Sequence, residues 1–291
     1  MKVFDPNLPF YKGNLHAHTT RSDGDLTPEE CIQGFKDHGY DFLAITDHRK
    51  PFGGYQDDQI LVIPAAEYDV NYLSGGPERC FHITGIGLVH DFDQTLMTPQ
   101  QIVDAIKKQG AFCTLCHPIW SMNTLEDLMT LDGYDAIEIF NTISEVYSGR
   151  GYSGQYIDLL ASRGIYKLIT AVDDCHRYVR DAFKGRIMVQ VQDRTWDSIH
   201  EALKAKRFYA TTGPSIYQIE RDGDHVAVDL SPVDHVRFMT NSLYDGERFT
   251  YAPEGGTVTH AEYTMKGCDR FVRIEGWDKN GGICWSNLLV R

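Results

Sequence analysis

Two histidines, His16 and His18, stand one residue apart near the N-terminus and are followed by Asp23. Because side chains on an extended segment alternate with period two, both imidazoles point to the same side. Ser22 and Gly24 favour a turn that brings the Asp23 carboxylate back beside them. Two imidazoles and one carboxylate within eight residues can bind a divalent metal ion. A lone His-x-His also occurs on ordinary strands, so further motifs must decide.

Further polar side chains follow short apolar runs, at points where strands are predicted to end. With the first three residues they form a set of nine candidate metal ligands: His16, His18, Asp23, His48, Glu67, His82, His117, Asp174 and His176. Imidazole and carboxylate ligands without thiolates suit Mn, Fe or Zn, and nine of them can hold two or three divalent ions. Buried without metal, such a set would carry a desolvation penalty of several kcal/mol. The sequence therefore predicts a metal centre.

The elements that must position these ligands alternate between strand and helix. Capping boxes begin at Thr27 and Thr98, and a glycine-rich loop is predicted at residues 74–77. Helices are predicted at 28–38, 99–108, 154–163 and 195–206, and strands at 41–46, 60–66, 81–88, 111–116, 135–140, 167–172 and 185–191. This alternation indicates an α/β fold with a mainly parallel sheet, and seven or eight units without nucleotide-binding glycines favour a closed barrel. Barrel active sites lie at the carboxyl ends of the strands, where the polar residues fall.

The hydrophobic pattern of the sequence changes near residue 215. Short alternating apolar runs follow, separated by turn signals such as Asp222-Gly223 and Lys279-Asn280-Gly281-Gly282. We therefore predict a barrel domain at 1–214 and a small all-β domain at 215–291.

Composition excludes several classes of protein. The 291 residues include 28 Lys plus Arg against 41 Asp plus Glu, a formal charge of −13 that disfavours binding to long nucleic acid. No apolar run reaches the 18 residues expected of a membrane span, and residues 1–14 do not resemble a signal peptide. We expect a cytoplasmic protein with no membrane partner.

The seven cysteines are expected to be reduced thiols, because the count is odd and no export signal is present. Cys113, Cys116 and His117 match the Cys-x-x-Cys-His pattern of haem attachment. The pattern falls in an apolar segment typical of a buried strand, which disfavours haem. A zinc knuckle is disfavoured because no second cysteine pair has zinc spacing.

The order of the motifs resembles that of the PHP (polymerase and histidinol phosphatase) family of metal-dependent phosphoesterases. The matching residues are His16, His18 and Asp23, then Thr46-Asp47-His48, Glu67, His117-Pro118, and Asp174-Cys175-His176. The resemblance implies a distorted (β/α)7 barrel with two or three divalent ions at its mouth. Residues 210–214 and the C-terminal segment resemble the CehA/McbA-like branch, whose members carry a β-rich C-terminal domain.

The resemblance also implies a division of the ligands among the ions. His16, His18, Glu67 and Asp174 would hold one ion, Glu67 and His117 a second, and Asp23, His48 and His176 a third. His82 would join the second ion or face the substrate, and His90 competes for this place. At the reacting centre we expect His16, Glu67, His117 and His176.

The implied activity is hydrolysis of a small phosphate mono- or diester, through attack by a hydroxide that bridges two ions. Arg21, Arg49, Lys50 and Arg177 are candidates for binding the substrate phosphate, although loop cations are often simply solvated. Asp47 is expected to orient a ligand. The same chemistry cleaves a carbamate, ester or amide, which is the alternative within catalysis. A noncatalytic metal- or carbohydrate-binding protein is a further alternative, and the oligomeric state, including a homodimer, is left open.

Overall fold

The computed structural model of the chain describes residues 1–72 and 79–291, and the loop predicted at 74–77 lies outside them. The described part is a mixed α/β structure with six α-helices and nineteen β-strands. The helices are α1 Pro28–Asp37, α2 Pro99–Lys108, α3 Leu125–Thr130, α4 Thr142–Ser148, α5 Gly154–Ala161 and α6 Trp196–Lys204, with a 3-10 turn at Gly246–Arg248.

The strands fall into an N-terminal and a C-terminal series. The N-terminal series is β1 Phe10–Asn14, β2 Phe42–Ala44, β3 Tyr55–Gln56, β4 Leu61–Ile63, β5 Ala65–Tyr72, β6 Arg79–Ile86, β7 Phe112–Leu115, β8 Ala136–Asn141, β9 Leu168–Val172, β10 Arg186–Gln190 and β11 Phe208–Thr211. The C-terminal series is β12 Ile216–Asp222, β13 His225–Val233, β14 His235–Met239, β15 Phe249–Tyr251, β16 Val258–Thr264, β17 Phe271–Trp277, β18 Ile283–Ser286 and β19 Leu289–Val290.

The two predicted capping boxes are confirmed. The Thr27 hydroxyl accepts a hydrogen bond from the Glu30 amide, and the Glu30 carboxylate accepts one from the Thr27 amide. Thr98 and Gln101 form the same capping box at α2. Helices α3 and α4 were not predicted, because six and seven residues are too few to show a helical period.

The strands form three sheets with mixed directions. The first runs β15-β14-β17-β18-β11-β10-β1-β2-β4-β3 with β19 beside β17, the second runs β5-β6-β7-β8-β9, and the third runs β12-β13-β16. Parallel pairing, which we predicted for most of the sheet, is limited among the strands of the described residues to β1-β2-β4 and β7-β8-β9, and the isolated bridges Ala17–Cys175 and His48–Glu67 are also parallel. The pairs β5 with β6 and β1 with β10 are antiparallel.

A continuous closed barrel does not form among residues 1–72 and 79–291. The first two sheets instead meet at isolated bridges, Ala17 with Cys175 and His48 with Glu67. The strands lose regular pairing at these bridges because the chain there turns its polar side chains into a common interior. The mixed α/β class is confirmed, whereas the regular barrel is not.

Apolar cores hold these layers together. One core lies between the helices and the first two sheets and includes Phe112, Ile137 and Ile169. A second lies under the C-terminal strands and includes Phe238 and Ile274. No helix in the described part of the chain has the length and apolar content needed to cross a bilayer.

The C-terminal strands are joined to the rest by pairing and by a buried ion cluster. Strand β18 pairs with β11, so the first sheet continues across residue 215. Arg273 on β17 is fully buried and donates hydrogen bonds to Asp158 on α5, at 2.9 and 3.1 Å, and to Glu275 at 2.6 Å. The Tyr152 hydroxyl donates to the same Glu275 carboxylate.

Replacing Arg273 by Met leaves the Asp158 and Glu275 carboxylates without their buried counter-charge. We expect the free energy of unfolding to fall by about 3–5 kcal/mol, measured by urea denaturation. Arg270→Met is the matched control, because Arg270 is exposed and the one described hydrogen bond of its guanidinium is to the Ser162 carbonyl. A similar loss in both variants would contradict a stabilising role for the buried cluster.

Candidate metal centre

The His-x-His pair lies directly after β1 rather than within it, and its backbone is still extended. The amide of His18 donates to the Cys175 carbonyl at 3.0 Å, and the amide of Asp174 donates to the His16 carbonyl at 2.9 Å. Ala17 therefore bridges to Cys175. This pairing aims both imidazoles and the Asp174 carboxylate into the same buried space.

Four side chains converge at the bottom of this space. The Nε2 atoms of His16 and His18 are 3.2 Å apart, and each lies within 3.1–3.2 Å of Asp174 Oδ1. Glu67 Oε1 lies 3.3 Å from His16 Nε2, and Glu67 Oε2 lies 3.3 Å from His18 Nε2. All four residues are buried. They are the four that the resemblance assigned to one ion.

Glu67 also faces a second group of imidazoles. His82 Nδ1 lies 2.9 Å and His117 Nε2 lies 3.5 Å from Glu67 Oε1, and His48 Nδ1 lies 3.2 Å from Glu67 Oε2. His82 therefore belongs to the cluster, at a position where it contacts the central carboxylate. His90, the competing residue, is exposed and takes no part in the described contacts of the cluster.

Asp23 closes the outer side of the cluster. Its carboxylate lies 3.5 Å from His18 Nδ1, 3.5 Å from His176 Nε2 and 3.7 Å from His48 Nε2. The ligand atoms of these four residues lie within 4.8 Å of one another. The structure thus brings all nine candidate ligands into one cluster.

Backbone strain accompanies this convergence. His117 and Asp174 have φ values of 25° and 54°, in the left-handed region that residues other than glycine rarely adopt. Such strain persists only where surrounding contacts determine the conformation, and it is concentrated at functional sites. Both strained residues are candidate ligands.

Glu138 contacts two of the candidate ligands and was not predicted from the sequence. Its Oε1 accepts the Nδ1 proton of His16 at 2.7 Å, and its Oε2 accepts from the His117 amide at 2.8 Å and from Asn141 Nδ2 at 2.9 Å. Asn141 Nδ2 also lies 3.1 Å from Asp174 Oδ2. One carboxylate thus sets the tautomer of His16, leaving Nε2 to face the cluster. In the sequence, Glu138 is recognisable as a single charged residue inside an otherwise apolar predicted strand.

Asp47 orients the segment that carries Asp23. Its carboxylate accepts from the Thr19 amide, the Thr19 hydroxyl and the Ser22 hydroxyl, each at 2.7 Å. These bonds lie between His18 and Asp23 along the chain. The orienting role predicted for Asp47 agrees with this geometry.

The charges of the cluster shift the pKa values of its members. Burial lowers the pKa of His18, but the close carboxylates of Asp174 and Glu67 outweigh burial and raise it to about 9. Burial raises the pKa of Glu67, but His82 and His16 outweigh burial and bring it well below its ordinary value. The carboxylates therefore stay ionised, and their burial is favourable only with positive charge beside them.

The residues fit a centre of divalent ions. Asp174 Oδ1 and His48 Nδ1 are buried and have no hydrogen-bond partner, although both point at other ligand atoms. Orphaned buried atoms of this kind are costly unless a cation binds them. The set of imidazole nitrogens and carboxylate oxygens is typical of Mn, Fe or Zn.

Cys116 is a further neighbour that the thiolate-free interpretation left out. Its sulfur, a His16 ring nitrogen and a Glu67 oxygen lie within 4.8 Å of one another. Burial, reinforced by Glu138, raises the pKa of the Cys116 thiol well above its ordinary value. The thiol is therefore neutral in the protein without metal. All seven cysteines are free thiols, as predicted.

A cavity of about 550 Å³ opens above the cluster. Candidate ligands form its floor, and its walls are formed by Trp120, Ile143, Ser144, Tyr147 and Arg177. This volume is within the range of small-molecule sites in proteins.

Two of the four predicted substrate-binding cations are held by backbone carbonyls. The Arg21 guanidinium donates two hydrogen bonds of 3.1 Å to the Pro51 carbonyl, and Lys50 Nζ donates to the Arg21 carbonyl. Arg21 does not line the cavity above the cluster, and Lys50 lines a shallower one beside Asp23.

The other two cations are paired with carboxylates. Arg49 Nε lies 3.2 Å from Asp69 Oδ1, and Arg49 also lines the shallower cavity. Arg177 donates to Asp25 at 2.8 Å and lines the main cavity. Among the four candidates, Arg177 is therefore the cation that a molecule in the main cavity could reach.

The fold is similar to that of a solved structure from Bacteroides vulgatus ATCC 8482, described as a two-domain protein containing a predicted PHP-like metal-dependent phosphoesterase. The TM-score is 0.56 at 17% sequence identity, and the match covers 98% of this chain and 96% of that chain. The resemblance to PHP proteins is thus confirmed for the fold. The CehA/McbA-like branch stays a prediction.

Two further solved structures match with TM-scores below 0.5. A proposed metal-dependent phosphoesterase from Bifidobacterium adolescentis ATCC 15703 has a TM-score of 0.43 and 13% identity over 66% of this chain and 96% of that chain. An amidohydrolase from Chromobacterium violaceum has a TM-score of 0.39 and 17% identity over 58% of this chain and 89% of that chain. No protein-family model and no curated protein sequence matches the chain.

Replacing Glu138 by Gln should weaken metal binding by about 10- to 100-fold. An amide has one acceptor oxygen where the carboxylate has two, so an N–H donor of the amide would face either His16 Nδ1 or the His117 amide. Affinity is measured by competition with a chromophoric chelator. Glu220→Gln, at an exposed glutamate paired with Lys2, should leave the affinity unchanged. Equal affinities in all three proteins would contradict the orienting role of Glu138.

The metal-free protein should lose stability as pH rises from 6.5 to 9. His18 has a higher pKa folded than unfolded, so its protonation contributes fully below pH 6.5 and the contribution is lost as pH rises through about 9. Metal affinity should increase over the same pH range, because a ligating imidazole must be deprotonated. Urea midpoints at pH 6.5, 7.5 and 9, with chelator or with Mn²⁺, measure both effects. With chelator present, the urea midpoint of His18→Asn should vary less with pH than that of the wild type. An equal variation in the two proteins would contradict the assignment of this pH dependence to His18.

Proposed function

We propose that the chain is a metal-dependent hydrolase and that its substrate is a small phosphate mono- or diester. This proposal rests on the convergence of six imidazoles and three carboxylates in one cluster, seven of whose residues line the cavity while His16 and His18 lie buried behind them. A purely structural cluster would bury fewer unpaired polar atoms. The fold it shares with the Bacteroides vulgatus protein, which is described as containing a PHP-like phosphoesterase, supports the same reaction class.

The ligands divide into three groups around shared carboxylates. His16, His18, Glu67 and Asp174 would hold one ion; Glu67, His82 and His117 a second; and Asp23, His48 and His176 a third, with His18 beside them. Mn, Fe or Zn bound there would lower the pKa of water to supply a nucleophile, and would neutralise charge that develops on a phosphate.

The protein's own residues orient this chemistry. Glu138 holds the proton on His16 Nδ1, which keeps Nε2 available to the centre. Asn141 donates to both Glu138 and Asp174, so the two carboxylates keep a fixed spacing. Arg177 at the rim can donate to a substrate oxygen once it exchanges its exposed partner Asp25.

We assign the catalytic unit to residues 1–214, as a distorted seven-unit barrel, and the β-rich domain to residues 215–291. Every candidate ligand precedes residue 177, which supports this division. The bridges from Ala17 to Cys175 and from His48 to Glu67 support a barrel mouth at the ligand cluster. The cytoplasmic location remains a prediction of the sequence.

The test combines metal analysis with three generic substrates: an aryl phosphate, an aryl phosphodiester and an aryl carbamate. We expect two or more ions per chain in the wild-type protein and phosphate-ester hydrolysis that falls at least about 1,000-fold in His16→Ala, because the hydroxide-forming centre loses a ligand. Mass spectrometry of the metals and a colorimetric assay provide the measurements.

The matched control is His260→Ala. His260 is exposed on β16, where Asp229 and Glu262 are its partners, so its removal should leave both metal content and rate unchanged. Cleavage of the carbamate alone would move the assignment to carbonyl hydrolysis. Protein that binds metal but cleaves none of the three would favour a noncatalytic binding protein, and protein without metal would overturn the proposal.

A further inference from the structure

We propose that the cavity wall formed by Trp120, Ile143 and Tyr147, beside the ligand cluster, is an aromatic subsite, and that the substrate is a monoester joining one phosphate to a planar, uncharged group. This inference rests on the proposed phosphoesterase function and names its substrate class. It depends on three features of the cavity wall: the placement of Trp120, the apolar face of α4, and the distribution of charge.

Trp120 stands at the border between the ligand floor and the apolar wall. Its ring meets the rings of His117 and His82 edge-on, with centroid distances of 4.9 and 5.7 Å and interplanar angles of 81° and 64°. The side chain nevertheless keeps 40% of its surface exposed and lines the cavity. An indole held by two imidazoles beside a metal centre can stack on a planar group attached to the reacting phosphate.

Helix α4 supplies the rest of the wall. Ile143 and Tyr147 are four residues apart and therefore lie on the same face of the helix, and both line the cavity. Tyr147 is 57% exposed and lines the cavity, so a bound molecule can reach its ring. These residues add a second aromatic ring and an aliphatic side chain to the surface that Trp120 begins.

The position of α4 relative to the ligands is set by Asn141. Its Oδ1 accepts from the Ser144 amide at 3.0 Å, and its Nδ2 lies 3.1 Å from Asp174 Oδ2. The Ile143 amide also donates to the Asp173 carbonyl at 3.1 Å. The apolar wall and the ligand floor are thus joined directly, which gives the subsite a fixed distance from the reacting phosphate.

Charge at the wall excludes most other leaving groups. Arg177 is the one Lys or Arg side chain among the described residues that line the cavity, and it is paired with Asp25. A second phosphate or a carboxylate on a leaving group that lies against Trp120 and α4 would find no further Lys or Arg among the described lining residues, since Arg49 and Lys50 line the separate cavity beside Asp23. A sugar on this side of the cavity would face mainly the apolar surfaces of Trp120, Ile143 and Tyr147, where Ser144 and Tyr147 carry the only hydroxyls of the described lining. An uncharged ring matches the wall better than either.

The test compares benzyl phosphate with cyclohexylmethyl phosphate, two esters of primary alcohols that differ chiefly in the planarity of the ring. We expect kcat/KM of the metal-loaded wild type to favour benzyl phosphate by about five- to tenfold, the size of an aromatic pair interaction. The ratio should fall to below about twofold in Trp120→Leu and be largely retained in Trp120→Phe. Because both esters use the same metal centre, a general disturbance of that centre cancels in the ratio.

The matched control is Tyr244→Leu. Tyr244 is an exposed tyrosine of the C-terminal region outside the cavity, so the ratio should stay at its wild-type value. Tyr147→Leu should lower the ratio, and Tyr147→Phe should not. A wild-type ratio near one, or a ratio that Trp120→Leu leaves unchanged, would overturn the aromatic subsite while the phosphoesterase proposal stands.

Binding of phosphonates separates the subsite from catalysis. Phenylphosphonate and cyclohexylphosphonate cannot be hydrolysed, and calorimetry on the manganese-loaded protein gives their dissociation constants directly. We expect phenylphosphonate to bind about five- to tenfold more tightly, and Trp120→Leu to remove the difference. If neither ester is hydrolysed but this preference is present, the phosphoesterase proposal fails and the aromatic subsite stands. Equal constants would overturn the subsite.

Discussion

The buried negative charge of Glu67 and Asp174 is the constraint on which the rest of the structure depends. Both carboxylates are almost fully buried, and both keep pKa values below the ordinary range because imidazoles surround them, although burial opposes this. A buried charge is tolerated only when opposite charge is close. Protons on the imidazoles can supply that charge in the metal-free protein, and divalent ions can replace those protons. The convergence of six histidines follows from this need.

A second set of buried carboxylates holds the first set in place. Glu138 fixes His16, and Asp47 fixes the turn before Asp23. Asp173 accepts hydrogen bonds from three successive amides of residues 183–185 and from the Thr142 hydroxyl, while burial raises its pKa to about 6. Each outer carboxylate is satisfied by donors of its own, so it orients its neighbours without needing a cation. Outer residues of this kind determine how well a centre binds metal.

The C-terminal strands support the same region from behind. Trp285 on β18 stacks on Phe140 of β8 and on Tyr152, with centroid distances of 5.8 and 6.2 Å. Strand β8 also carries Glu138 and ends at Asn141, which caps α4. The C-terminal region therefore packs against β8, the strand that carries the orienting carboxylate of Glu138 and leads into the cavity wall. The β-rich region, which contains none of the candidate ligands, thus supports the geometry of the centre.

The sequence by itself determined the features that depend on neighbouring residues. The capping boxes at Thr27 and Thr98 close hydrogen bonds over three residues, and the nine candidate ligands could be selected because imidazoles and carboxylates are the residue types that bind such ions. Three features were decided only by the tertiary structure. The partner of His16 is Glu138, 122 residues away, and the partner of the Arg21 guanidinium is the Pro51 carbonyl. The mixed strand directions are the third feature. The physical reason is that these contacts form when distant segments are buried together. Which donor then meets which acceptor depends on how the sheets and helices pack, and no local pattern records it.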